Sequence, residues 1–197
     1  MRFRPFWPNI KIMMTELSLN VLDVAENSVK AGADLIEIAV QADILSDRLI
    51  ISIKDDGCGM TAEEVKRVTD PFFTSRKTRK VGLGVPFFKY AAECTGGSFA
   101  ISSRPGEGTM VKAVFVLSHI DRMPLGDMSA TIHTLIICHP DIDFVYTYTY
   151  NEKSFDLDTR QFKEILGEVS LNAPEVDAYI NEYLKENTLE TDGGAVY

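Results

Sequence analysis

The chain has 197 residues and a formal net charge of −9; 45% of its residues are hydrophobic and 25% charged. That length buries a real core, as one domain with an appendage or as two small domains, and the composition excludes a disordered chain or a disulfide scaffold. The net charge excludes bulk nucleic-acid binding, because a polyanion is repelled before any base is read. The charge is also uneven: residues 1–117 hold 15 Lys/Arg and 14 Asp/Glu, whereas residues 118–197 hold 5 and 15. This step predicts a boundary near 118.

Segment 1–14 carries Arg2, Arg4 and Lys11, is interrupted by two prolines and has no apolar run of a secretion signal, so it reads as a loosely packed N-terminal arm; Met13 and Met14 are alternative starts. Thr15 is placed to cap a helix running to about Ala31, and Gly32 ends it. Leu35–Val40 and Arg48–Lys54 are β-rich runs that read as an antiparallel pair. Asp55-Asp56-Gly57-Cys58-Gly59 breaks the second run, and Thr61 opens a short helix with Glu64 at the capping-box position. Asp70–Gly84 is a basic, glycine-bearing loop, followed by helix from Val85 to Cys94. Ser98–Ser103 and Thr109–Leu117 form a second hairpin. Beyond 118, helix is expected over 127–138, a hairpin over 143–157, and helices near 159–166 and 174–186. The alternating Tyr146, Tyr148 and Tyr150 read as a packing face. Hairpins separated by helices predict an α+β sandwich.

Cys58, Cys94 and Cys138 form no CxxC pair, which fits a reducing compartment, and no apolar run approaches the roughly 18–20 residues that span a bilayer. The expected location is therefore cytoplasmic, away from membranes.

Three features carry chemistry. Asn20, Asp23, Asn27 and Lys30 share one helical stripe, which is either a solvated face or a carboxylate, an amide and an ammonium aimed at one ligand. The Asp-Gly-x-Gly at 56–59 is either an ordinary strand-to-turn junction or a carboxylate that accepts from an amine beside glycines. Residues 66–80 carry six Lys/Arg against one Asp and lead into Gly82-Leu83-Gly84 at a helix start, a plausible phosphate cradle. The loop is neither a P-loop nor a Rossmann fingerprint, since GxxxxGK[ST] and GxGxxG are both absent.

In order along about 90 residues, these features resemble the GHKL superfamily of ATP-binding domains, which includes gyrase, histidine kinases and mismatch-repair MutL. Leu22–Ala33 resembles the N box, and PFFTSRK followed by VGLGVPFFKYAAECTGGSFAISSRPGEGTMVKAVF is similar to a histidine-kinase catalytic domain. The resemblance covers residues 15–117 and implies the Bergerat fold, a mixed, mostly antiparallel sheet with helices on one face, plus a small C-terminal α/β appendage. It also implies ATP and Mg²⁺. Asp56 would bind the adenine amine, Gly57 and Gly59 would shape the pocket, and Thr109 would support the same end. Asn27 would ligate Mg²⁺ and Lys30 would touch a phosphate. Thr74, Arg76, Lys77, Gly82, Leu83 and Gly84 would belong to the ATP lid, with Arg79 and Lys80 as further lid cations.

ATP-hydrolysing relatives carry Glu four residues before the Asn, and histidine kinases usually carry Asn; here the residue is Asp23. Aspartate keeps a general base but withdraws it by one methylene, so Asp23 is a base on water or a hydroxyl, a residue that helps hold Mg²⁺, or a weak catalyst. His119, His133 and His139 all follow residue 117 and read as structural rather than as phosphoacceptors. The expectation is a small ATPase or protein kinase acting in trans on a protein partner, comparable to anti-sigma serine kinases, and not a complete sensor kinase. The alternative is an ATP-gated interaction switch with little turnover. The acidic unit 118–197 carries no recognised motif, and the oligomeric state is open, a homodimer included.

Overall fold

Two short runs set the frame of the fold. β1 (Leu35–Asp43) buries Ile36, Ile38, Val40 and Ala42, and β2 (Arg48–Asp55) buries Leu49, Ile51, Ile53 and Asp55. Alternate residues point to opposite sides of a sheet, so each strand commits one face to the core. The computed structural model describes residues 15–70 and 84–195. The arm at 1–14 and the lid residues Thr74, Arg76, Lys77, Arg79, Lys80, Gly82 and Leu83 lie outside the described residues.

β3 (Ser98–Arg104), β4 (Gly108–Val116), β5 (Asp143–Tyr150) and β6 (Lys153–Asp158) complete a six-stranded sheet of order β3-β4-β2-β1-β5-β6. All neighbours are antiparallel except β1 and β5, which run parallel with Ile36 opposite Phe144 and Ile38 opposite Tyr146. Helices α1 (Leu17–Lys30), α3 (Gly84–Cys94), α4 (Met128–Cys138) and α6 (Pro174–Asp192) lie on the face that carries the buried residues; α1 sits between α3 and α4, and α4 reaches α6. This is the α+β two-layer sandwich with helices on one face. Tyr146 and Tyr148 are buried beneath the helices.

α2 (Ala62–Val68) buries none of its residues and relies on its cap. Thr61 Oγ1 accepts from Glu64 N at 3.3 Å while Glu64 Oε2 accepts from Thr61 N at 2.8 Å. The Thr61 backbone N–H and hydroxyl hold the Glu64 carboxyl below its ordinary range. At α1 the local expectation fails. The N-cap is Glu16 rather than Thr15, and no side chain caps it. Leu17 N and Ser18 N instead donate to Pro124 O at 3.0 Å and Leu125 O at 2.8 Å. Those unpaired donors of the first turn need an acceptor, and backbone from more than a hundred residues away supplies it.

The residues beyond 118, set apart in the sequence by their charge, continue the same sheet through β5. Their buried side chains join those of the first half in one hydrophobic cluster. α4 also ends against α1, where His139 Nε2 lies 2.8 Å from Glu26 Oε1. The charge step is thus a property of the surface, and the core runs across it. The three histidines are all engaged: His133 Nε2 sits 2.5 Å from Asp177 Oδ1, and His119 Nδ1 accepts from Asp121 N. Among the described residues, no helix is long and apolar enough to cross a membrane.

Cutting the chain after Leu117 would leave β1 as an unpaired, apolar edge and strip α4 from α1, a combination that invites association. The fragment is expected to lose cooperative urea unfolding by circular dichroism and to scatter light. A monomeric fragment with an unchanged unfolding midpoint would contradict a core shared across residue 118.

Candidate functional site

The inward phase of β2 ends on a carboxylate. Leu49, Ile51 and Ile53 place apolar side chains under the helices, and two residues on, the same phase delivers Asp55, 8% exposed. A buried carboxylate needs donors, and Asp55 has three. Ser28 Oγ of α1 donates to Oδ2 at 2.6 Å, and Gly57 N and Thr109 N donate to Oδ1 at 3.0 and 3.1 Å. One side chain therefore gathers the C-terminal turn of α1, the turn after β2 and the start of β4. An ionised carboxylate offers about four acceptor positions, so about one remains on Oδ2.

The sequence places the recognition role on Asp56, and the structure puts that side chain elsewhere. Asp56 Oδ1 accepts from Asp34 N and Leu35 N, both at 2.9 Å, and so caps the entry to β1 outside the cluster. The reason is the phase of the strand: Asp56 lies one residue past its end and faces away from the helices. Asp55 takes its place in the cluster. The alternation from Leu49 was the signal that could have found it. Ser28 carried no such signal, because its partner is 27 residues away.

The turn after β2 runs close to the β3–β4 hairpin. Gly59 has φ +64°, and a Cβ there would stand 1.9 Å from Arg104 O, so no other residue fits. Cys58 N donates to Ala31 O at 2.9 Å, and Gly106 N to Cys58 O at 2.8 Å, which pins the turn between α1 and the hairpin. Ser103 Oγ bridges Gly108 O and Thr109 Oγ1, at 2.8 and 2.9 Å. Thr109 and Gly57 thus share the Asp55 end of the site, while Gly59 walls it.

Along α1, Asp23 and Asn27 are half-buried and Lys30 is exposed in the last turn. Asn20, on the same stripe, is fully buried; its Nδ2 donates to Glu16 O and its Oδ1 has no partner among the described residues. The stripe therefore dives into the core at its N-terminal end and opens toward its C-terminal end. Asp23 lies against the first residue of α3. A Cβ on Gly84 would fall 2.0 Å from Asp23 Oδ2, and 2.9 Å from its Cβ. The contact reaches the root of the aspartate, so a rotamer change does not relieve it. The structure brings together Asp23 with Gly84, and Ser28, Asp55, Gly57 and Thr109 with one another.

Residues 10–119 match the family described as "Histidine kinase-, DNA gyrase B-, and HSP90-like ATPase", and the chain belongs to it. It carries an ATP-binding domain of the GHKL superfamily. The sensor histidine kinase YxdK of Bacillus subtilis is 34% identical over 107 residues, covering 51% of this chain and 32% of that protein. Sporulation kinase E of the same organism is 32% identical over 104 residues, covering 52% of this chain and 14% of its own length. The chain spans about a third or less of the length of these relatives. The crystal structure of the N-terminal domain of a DNA repair protein has the same fold, with a TM-score of 0.52 at 14% identity, covering 75% of this chain and 54% of that one.

Ser28→Ala removes a donor from a buried carboxylate, a loss worth about 1–3 kcal/mol. The expected result is a lower urea midpoint with an unchanged slope. An unchanged midpoint would mean that Asp55 is held adequately by backbone alone.

Proposed function

We propose that this chain binds Mg²⁺-ATP at the cluster around Asp55 and transfers or hydrolyses the terminal phosphoryl group, with Asp23 as general base, acting on a protein partner in trans. The observation that carries this reading is the Asp55 carboxylate, buried, fixed by three donors from three elements and left with about one free acceptor position. That is what recognition of an exocyclic amine requires, since the amine donates and a fixed carboxylate can only accept. The close approaches of Gly57 to Ala31 and of Gly59 to Arg104 O fix the turn that presents this carboxylate.

Asn27 lies one residue before Ser28, on the turn of α1 that opens outward, and its amide oxygen suits a hard cation. Mg²⁺ commonly takes only one or two protein ligands beside phosphate oxygens, so Asn27 with a triphosphate meets its needs. When bound, the ion would neutralise charge developing on the phosphoryl oxygens. Lys30, exposed at the end of the same helix, offers an ammonium to a phosphate. The N-terminus of α3 beside Asp23 and the lid residues Thr74, Arg76, Lys77, Gly82 and Leu83 would cover the phosphates. Asp23 would accept the proton of the attacking hydroxyl, whether water's or the partner's. Its place against Gly84 sets the base beside the start of α3. The histidine-kinase relatives support phosphoryl transfer to a partner as the class of chemistry.

Calorimetry with Mg²⁺-ATP tests the pocket. Asp55→Asn replaces an acceptor oxygen with a donor facing the amine, and is expected to weaken ATP by about 1–3 kcal/mol, roughly fivefold to a hundredfold or more. Asp56→Asn, on the β1 entry, is expected to leave affinity within about twofold. The opposite ranking would return the role to Asp56, and no binding by the wild type would remove the pocket.

Phosphate release tests the base. Asp23→Asn is expected to reduce turnover by about a hundredfold or more at unchanged ATP affinity, the range of a positioned general base. Binding without turnover in the wild type, alone or with partner, would replace the enzyme by the ATP-gated interaction switch.

A further inference from the structure

A second surface stands apart from this site, where β6, α5 (Thr159–Leu166) and α6 meet. On α6, Glu175, Tyr179 and Tyr183 recur every four residues and share one helix face. Tyr179 and Tyr183 have ring centroids 6.3 Å apart, and Phe162 of α5 meets them at 6.1 and 6.0 Å. Phe155 of β6, 6.4 Å from Tyr183, carries this chain of rings down into the core. Phe162, Tyr179 and Tyr183 line a groove of about 460 Å³. At its mouth Ile165 is 85% exposed and Tyr179 57%, which is costly surface for a side chain with nothing to cover it.

The polar rim of the groove is acidic, formed by Glu175, Asp156 and Asp158. The nearest cations are already engaged: Arg160 grips Asp158 at 2.6 Å, and Lys163 reaches Asp143 at 2.6 Å. Glu175 makes no ion pair among the described residues. Burial, then Tyr179 and Asp156, push the Tyr183 phenol up, so it stays a donor, to Asp156 O at 3.1 Å. Tyr179, more than half exposed, stands one helical turn from Glu175, which pairs an aromatic ring with a carboxylate, two groups that each attract a cation. Residues 118–197 hold 15 acidic against 5 basic side chains, and such a field draws a basic partner and repels an acidic one. A second copy docking through its own 118–197 surface would bring like charge to the groove, and that mismatch disfavours such a pairing.

We propose that the groove between β6, α5 and α6 docks a segment of a partner protein that presents arginine or lysine beside a large apolar side chain. The cation sits over the Tyr179 ring toward Glu175, and the apolar side chain covers Ile165 and Phe162. This surface does not share a residue with the nucleotide cluster, so the two readings stand or fall separately.

The test uses the full chain and two short fluorescent peptides, one alternating leucine with arginine and one alternating leucine with glutamate, read by anisotropy at low and high salt. The leucine–arginine peptide is expected to bind and the leucine–glutamate peptide not. Tyr179→Ala, with folding checked by circular dichroism, is expected to weaken binding about tenfold and Glu175→Gln several-fold, while Glu186→Gln, on the same helix but off the groove, changes it less than about twofold. ATP affinity is expected to be unchanged in all three. Equal weakening by Glu186→Gln would show diffuse attraction to an acidic protein and overturn the proposal. So would binding of the glutamate peptide, absence of binding by both peptides, or self-association of the chain that Ile165→Glu abolishes.

Discussion

The structure turns on one buried carboxylate. Asp55 sits at the end of a central strand, and its oxygens take hydrogen bonds from α1, from the turn after β2 and from β4. Removing a charge from water carries a large cost, which only well-placed donors offset. The chain therefore has to bring Ser28, Gly57 and Thr109 to one point for this strand end to be buried at all. That requirement couples three stretches of sequence spread from Ser28 to Thr109: the three donors hold the carboxylate still and leave about one acceptor position on Oδ2.

Around that point the packing is simple in principle. Strands alternate, one face of the sheet collects the apolar residues, and four helices cover it. Ionic detail sits at the margins, such as Lys54 with Glu37 on the uncovered face and Arg67 with Glu63 on α2, where exposure leaves such pairs worth little. What makes the sheet one body is the parallel pairing of β1 with β5, which brings the second half of the chain into the core. The Asp23–Gly84 contact then joins the helix bearing the polar stripe to the helix that follows the basic loop. Absence of a side chain at 84 is what lets the two come this close.

Charge and core divide the chain differently. Acidic residues concentrate after 118, yet buried residues are shared across that position. Long-range charge acts on what approaches the molecule, whereas burial acts on what the chain can hold together. The uneven charge therefore bears on what approaches the molecule, and the groove between β6, α5 and α6 lies on its acidic side.

Much was legible in the residues themselves: the antiparallel hairpins, the capping box at Thr61 and Glu64, and the ordered motifs that mark the family. Each of these is written in neighbouring residues, through alternation, turn chemistry or short spacing, and needs no distant partner to be read. The burial of Asp55 rather than Asp56 lay at the limit, since strand phase encodes it but the aspartates are adjacent. Other decisions belonged to the tertiary structure alone: α1 capped by the backbone at 124 and 125, Ser28 on Asp55, Asn20 buried, and β5 laid parallel to β1. In each case the deciding contact joins segments far apart in the chain, and its energy comes from donors and apolar faces that meet only after the sheet has formed.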